Sequence, residues 1–190
     1  SPGVNQTGVD SNGQPVGTIA GQPGGPAAMF RVSVPVNKQS SALDGWELNV
    51  QHMFGESGFG LSANYTIVDS DLTYDDYNLG DQFAMLGLSN SANFVAFYDK
   101  GQWQVRAAYN WRDKFLSSTF DSWRPNPVYV EEYGQWDVNV SYQVSEHLSL
   151  HAEAINLTDQ TMRSHGRNER QVFYATQTGP RYMLGFRYKF

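Results

Sequence analysis

The chain has 190 residues, 13 Lys and Arg against 19 Asp and Glu, a net charge of −6 and no Cys. The acidic balance argues against a nucleic-acid binder, which needs a basic face, and the absence of Cys removes disulfides and thiolate metal sites. No run approaches the ~18 consecutive apolar residues of a transmembrane helix, but a barrel strand needs an apolar residue only at alternate positions and stays open as a way across a membrane.

Ser1-Pro2-Gly3 opens without the basic and apolar regions of a signal peptide, which implies a leader already removed or a start inside a longer protein. Residues 1–27, rich in Gly, Pro, Gln, Asn and Thr, lack periodicity and read as a long loop. Residues 28–37 hold Phe30, Val32, Val34 and Val36 but are interrupted by Pro26 and Pro35. They read as a short strand extension above the membrane, so that 1–43 forms one extracellular loop region.

From residue 44 the pattern has period two, which sends successive side chains to opposite faces of a strand. In 44–54, Trp46, Leu48, Val50 and Phe54 oppose Glu47, Asn49 and Gln51. In 57–69, Phe59, Leu61, Ala63, Tyr65 and Ile67 alternate with Gly60, Ser62, Asn64 and Thr66. Residues 91–99 are apolar on both faces and leave their orientation open. The clearest strand is 102–116, with Trp103, Val105, Ala107, Tyr109, Trp111 and Phe115 against Gln102, Gln104, Arg106, Asn110, Arg112 and Lys114. In 129–144, Trp136, Val138, Val140, Tyr142 and Val144 oppose Asp137, Asn139, Ser141 and Gln143. Residues 147–158 carry Leu148, Leu150, Ala152 and Ala154, then change phase at Ile155-Asn156-Leu157, as at a bulge. In 179–190, Tyr182, Leu184, Phe186, Tyr188 and Phe190 share one face.

These segments predict an all-β, antiparallel transmembrane barrel, with 44–190 as its last seven membrane strands. Tight turns at Gly55-Glu56, Lys100-Gly101 and Ser145-Glu146 alternate with long loops at about 70–90, 116–128 and 159–178. Outer-membrane barrels sort their connections this way, short periplasmic and long extracellular. The apolar face mixes aromatics near strand ends with small residues, whereas a soluble sandwich core is dominated by Val, Ile and Leu. Amphipathic rings prefer the headgroup level. An odd strand count suits a fragment of a larger barrel, since bacterial single-chain barrels have even counts.

The ending Gly179-Pro180-Arg181-Tyr182-Met183-Leu184-Gly185-Phe186-Arg187-Tyr188-Lys189-Phe190 resembles the final strand of TonB-dependent receptors, and Glu153-Ala154-Ile155-Asn156-Leu157-Thr158-Asp159 resembles their penultimate-strand motif. Gly45-Trp46-Glu47-Leu48, Ala63-Asn64-Tyr65-Thr66 and Ala108-Tyr109-Asn110-Trp111-Arg112 are also similar to that family, and the resemblance runs from about 28 to 190. It implies the C-terminal seven or eight strands of a 22-stranded barrel in the outer membrane of a Gram-negative bacterium. It implies a barrel-assembly signal in Phe186, Tyr188 and Phe190, and a TonB complex reached through an N-terminal plug that this chain does not contain. The implied function is a receptor that binds a scarce nutrient at extracellular loops and lumen and imports it. A porin without energy coupling and a soluble carbohydrate-binding β-sandwich are the alternatives.

Two loops supply candidate ligand contacts. Loop 69–81 carries Asp69, Asp71, Asp75, Asp76 and Asp81 with Tyr74 and Tyr77. Its spacing matches no EF-hand, so the expectation is a solvated loop in which Tyr74, Asp76 and Tyr77, with Trp123 from the next loop, could contact a sugar. The last loop holds Arg163, His165, Arg167, Glu169 and Arg170, able to grip an anionic group or lipopolysaccharide phosphate through charge-assisted hydrogen bonds. His52, His147, His151 and His165 show no metalloprotease spacing, and no Gly-rich phosphate loop or nucleophile elbow is present. No enzyme activity, metal or cofactor is expected. The partners expected are outer-membrane lipid and lipopolysaccharide, the TonB complex, and an oligosaccharide, iron chelate or cobalamin-type ligand. The oligosaccharide is favoured because the long loops are rich in aromatics.

Overall fold

The computed structural model describes residues 4–9, 15–19, 40–78, 80, 82–122 and 125–190. The chain divides into two units, Ser1–Ser40 and Ser41–Phe190. In the first, β1 (Val4–Val9) and β2 (Pro15–Ile19) form an antiparallel ribbon with a register shift between Gln6 and Gly8. These residues read as loop in the sequence because they have no apolar alternation. A two-stranded ribbon needs only its backbone ladder and is compatible with such a composition. The strand extension expected at 28–37 falls outside the described residues.

The second unit runs through β3 (Leu43–Met53), β4 (Phe59–Ser70), β5 (Ser91–Lys100), β6 (Trp103–Arg112), β7 (Phe115–Ser118), β8 (Val128–Val130), β9 (Tyr133–Gln143), β10 (Leu148–Ile155), β11 (Thr161–His165), β12 (Val172–Gln177) and β13 (Arg181–Tyr188). Every pairing is antiparallel. Seven strands form one sheet in the order β3-β4-β5-β6-β9-β10-β13, and β7, β8, β11 and β12 form a second sheet. Among the described residues the seven-stranded sheet does not close on itself.

The second sheet corrects the reading of 116–128 and 159–178 as plain loops. The strands are interrupted at Asp113-Lys114 after β6 and at Glu131-Glu132 before β9, and the hairpins continue beyond the interruptions. Residues 159–178 are largely the hairpin β11–β12, paired to β8 through Ser164 and His165. The phase change in 147–158 is a turn rather than a bulge. Asn156 lies at φ 57° and ends β10.

Register makes the wall two-sided. Paired residues share a face, and one set crosses all seven strands: Leu48↔Tyr65↔Ala92↔Trp111 on one side, Val105↔Val140↔Ala152↔Leu184 on the other. The opposite set runs Asn49↔Asn64↔Asn93↔Asn110↔Gln135. The same pairing orients β5, whose sequence was ambiguous. Phe94 and Tyr98 sit with Tyr109 and Val105 on the apolar face, and Val95 and Phe97 sit with Ala108 and Arg106 on the polar one.

The apolar face stays uncovered. Trp46 is 75% exposed, Leu184 88% and Phe186 75%. Among the described residues the buried apolar side chains are Val95, Leu116 and Pro127, far fewer than a soluble domain of this size would hold. Aromatics gather in two rows on this face. Toward the short turns, Phe59 packs on Tyr98 at 4.6 Å and Trp103 on Tyr142 at 4.4 Å. Toward the long loops, Tyr109 packs on Trp136 at 5.0 Å and Tyr65 on Trp111 at 6.5 Å. Between the rows Ala96, Ala107 and Val138 lie side by side on adjacent strands. Trp103 and Trp111 are eight residues apart on β6, about 26 Å at about 3.3 Å per residue. A strand tilt of about 40° makes that about 20 Å of height, the scale of a membrane barrel's apolar band.

Local chemistry explains the turns. Lys100 and Trp103 pair across Gly101-Gln102, and Gly101 takes φ 65° where a two-residue hairpin demands a positive value. Lys100 Nζ donates to Glu56 O at 2.7 Å, tying adjacent short turns together. On the wall, the Tyr109 ring lies directly over Gly134, a space any Cβ would fill. That leaves Tyr109 free to tilt against Trp136.

Candidate functional site

The long-loop end carries the side chains with the most specific surroundings. Side chain to backbone bonds hold the described residues around Asp75 and Gln82. Gln82 Nε2 donates to Asp75 O at 2.9 Å and Asn78 O at 2.7 Å, and Asp75 Oδ1 accepts from the Tyr77 amide at 2.9 Å. The Ala42 amide donates to Asp71 Oδ1 at 3.0 Å. Asp75 thus serves a local donor and Asp71 one from before β3, and among the described residues no three acidic or His groups stand close enough to hold a metal ion. Asp81 falls outside the described residues.

Asp76 reaches furthest. The Tyr129 hydroxyl on β8 donates to Asp76 Oδ1 at 2.7 Å, and the Tyr129 ring stacks on His165 of β11 at 5.4 Å. Lys114 Nζ lies 5.6 Å from the same ring. The two loops treated separately in the sequence therefore meet at Tyr129. Burial pushes the Tyr129 phenol well above its ordinary pKa of 10.0, and the hydrogen bond to Asp76 adds to the shift. Tyr74 lines a cavity of about 310 Å³ with Leu72, Met85, Phe115, Leu116 and Tyr129, whereas Tyr77 is 83% exposed and touches none of this.

Arg163 pairs with Glu131 at 3.7 Å, and the two line a neighbouring cavity of about 400 Å³ with Asp113, Lys114, Glu132, His165 and Glu169. Every lining residue is ionisable. His165 is 3% exposed, and its Nδ1 donates to Gly166 O at 2.7 Å. Arg167 donates to Pro125 O instead of reaching the cavity. Trp123 lies outside the described residues. The structure thus brings Tyr74, Asp76, Arg163 and His165 into one region and leaves Tyr77 and Arg167 apart from it. Sequence reading missed Tyr129, Lys114, Glu131 and Glu132. One signal was available for Tyr129: by parity it belongs to the polar set of 129–144, and a large aromatic out of phase needs a partner.

The polar face of the wall holds a second site. Asn93, Arg106, Asn110, Asp137, Asn139 and Glu153 line a cavity of about 460 Å³. A relay fixes its upper edge: Tyr133 donates to Gln135 Oε1 at 2.7 Å, and Gln135 donates to Asp137 Oδ1 at 2.6 Å. Asp137 Oδ1 also accepts the Asn156 amide at 3.0 Å. Asn156, 1% exposed, uses its own Oδ1 to accept the Gln160 amide at 2.8 Å. The motif at 153–159 is therefore the hinge where β10 leaves the wall, clamped by a carboxylate of the neighbouring strand.

Phe186, Tyr188 and Phe190 lie on or beside the edge strand β13, all exposed, with Tyr188 5.2 Å from Phe190. Among known families, the one described as TonB dependent receptor-like, beta-barrel matches residues 5–157. The match takes in the motif through Leu157 and the ribbon β1–β2, and stops before β13. No curated protein and no solved structure matches the chain. The described strands are all antiparallel and form a seven-stranded wall, open among the described residues, with one apolar and one polar face, and the family match covers more than half the chain; it belongs to the TonB-dependent receptor-like β-barrel family.

Proposed function

We propose that this chain is part of an outer-membrane receptor that binds a scarce nutrient at its extracellular rim and in its lumen and passes it to the periplasm with energy from TonB. The observation that carries this is the register of the wall. A single apolar face crosses all seven strands uncovered, with two aromatic rows, while the other face is wet and holds a polar cavity. Lipid outside and water inside account for both. The seven wall strands are read as membrane strands, the long-loop end as extracellular, and residues 1–43 as a loop region on that side. An open edge in lipid leaves backbone groups unpaired at several kcal/mol each, so β3 and β13 require neighbouring strands to complete a barrel.

Tyr74, Asp76, Arg163 and His165 are read as the rim contacts for ligand, and Phe186, Tyr188 and Phe190 as an assembly signal. Disruption of the gene, with uptake measured for oligosaccharides, iron chelates and cobalamin-type ligands, tests the reading. One class should fail to enter, and the same uptake in intact cells should stop when TonB is removed or the proton gradient is collapsed. Uptake that survives both treatments would make the protein a passive pore.

A further inference from the structure

The cavity of about 400 Å³ at the rim has chemistry that selects among ligands. Its two cations each lie near another group of the protein. Arg163 faces Glu131 at 3.7 Å, and the Lys114 ammonium lies 5.6 Å from the Tyr129 ring. Asp113 Oδ1 accepts the Lys114 amide at 2.7 Å. Glu132 and Glu169 are exposed and have no ion-pair partner among the described residues.

His165 supplies a second, independent observation. Its Nδ1 faces a carbonyl oxygen, which only accepts, so Nδ1 carries the proton. In the neutral ring Nε2 is then a lone-pair acceptor. The ring lines the cavity at 3% exposure, and Nε2 is buried without a partner among the described residues. A buried polar atom left unpaired costs about 1–3 kcal/mol, a penalty that a donor able to reach it would relieve.

We propose that this cavity is the subsite for an ammonium group of the ligand, held by Glu132, Glu169 and His165 Nε2; the proposal rests on the receptor reading above. A primary ammonium offers three donors and no acceptor, which matches a lining where carboxylates outnumber cations four to two. Charge-assisted bonds to carboxylates favour it over a neutral hydroxyl. An anion would meet a lining in which four carboxylates outnumber two cations. A bare metal ion needs several ligands within about 2.3–2.6 Å of it, and no three acidic or His groups among the described residues are placed to hold one. A cavity of this volume accommodates an organic ligand of several atoms. Two sources share the chemistry, an amino sugar and a free polyamine.

The test is calorimetric titration of the full-length protein in detergent micelles at low salt. The probes are a glucosamine disaccharide, its fully N-acetylated counterpart, 1,4-diaminobutane and citrate. The glucosamine disaccharide or the diamine should bind, while the acetylated sugar and citrate give no heat. Tighter binding of the disaccharide assigns the amino-sugar source, and tighter binding of the diamine assigns the polyamine. Glu132→Gln combined with Glu169→Gln, both exposed positions, should weaken binding about tenfold or more. Lys114→Gln, which makes the cavity more negative, should tighten it. Glu146→Gln at the short-turn end should leave it unchanged. Equal binding of the acetylated sugar, preference for citrate, indifference to these variants, or no binding of either amine overturns the subsite. TonB-dependent uptake of a ligand without an amine would overturn the subsite and leave the receptor reading intact. Amine binding without TonB-dependent uptake would do the reverse.

Discussion

The seven-stranded wall and the four-stranded sheet at its long-loop end solve the same problem in opposite ways. The wall separates greasy and wet side chains onto two faces and buries almost none of them. Its only buried apolar residue among those described is Val95. The smaller sheet, four strands of three to six residues, makes an interior of its own: Leu116, Pro127, Ser164 and His165 are all buried there. The difference teaches where each region finds its stabilising surroundings. The wall has no core to lose, so its stability must come from what lies outside it. The rim sheet depends instead on a few specific contacts.

A charge placed on the apolar face should separate the two regions most strongly. Ala107 sits midway between Trp103 and Trp111 and pairs with Ala96 and Val138. Ala107→Arg in the full-length protein should cost about 2–4 kcal/mol in a bilayer. Asn49→Arg, on the exposed polar face, should change stability by less than about 0.5 kcal/mol. Urea unfolding in lipid vesicles followed by Trp fluorescence measures both, and equal costs would remove the distinction between faces.

The junction between regions is next. Asn156→Ala removes a side chain that bonds the Gln160 amide and puts a residue ill-suited to φ 57° at the hinge. The expected loss is about 2–3 kcal/mol. Asn156→Gly keeps the backbone freedom and should lose less. If both variants cost the same, the left-handed backbone is not what Asn provides.

Much of the wall was legible in the sequence because alternation is a local property. Trp103 to Trp111 announces two faces without knowledge of any neighbour. Residues 91–99 were not legible, because Val95 and Phe97 break the pattern and only pairing with β4 and β6 shows which face they take. The rim failed for a different reason. Tyr129, Asp76 and His165 come from three segments far apart in the chain, and no spacing rule connects them. The ribbon at 4–19 has no side-chain signature at all.

Smaller effects sharpen the picture of the rim. Tyr129→Phe deletes the bond to Asp76 and should loosen segment 71–90 by about 1 kcal/mol. Hydrogen exchange should quicken there and stay unchanged in β4 and β9. Uniform quickening would mean that the rim is not a separate unit. The same contact sets a pH dependence. A phenol whose folded pKa lies above its unfolded value lends stability that is fully present below the ordinary 10.0 and is lost as pH rises past it toward the folded value. Tyrosinate absorbance in the wild type minus that in Tyr129→Phe should therefore show a late-titrating group. A difference spectrum titrating at the ordinary value would place Tyr129 in open solvent.

The most direct measurement is a scan along β6. Single Cys replacements at each position from 103 to 112 of the full-length protein, spin-labelled in lipid vesicles, report collisions with oxygen, which dissolves in lipid, and with a water-soluble nickel complex. Odd positions should favour oxygen and even positions the nickel complex, alternating through the whole strand. Odd positions shielded from both reagents would mean that the apolar face packs against protein, and the lipid-facing wall would be wrong.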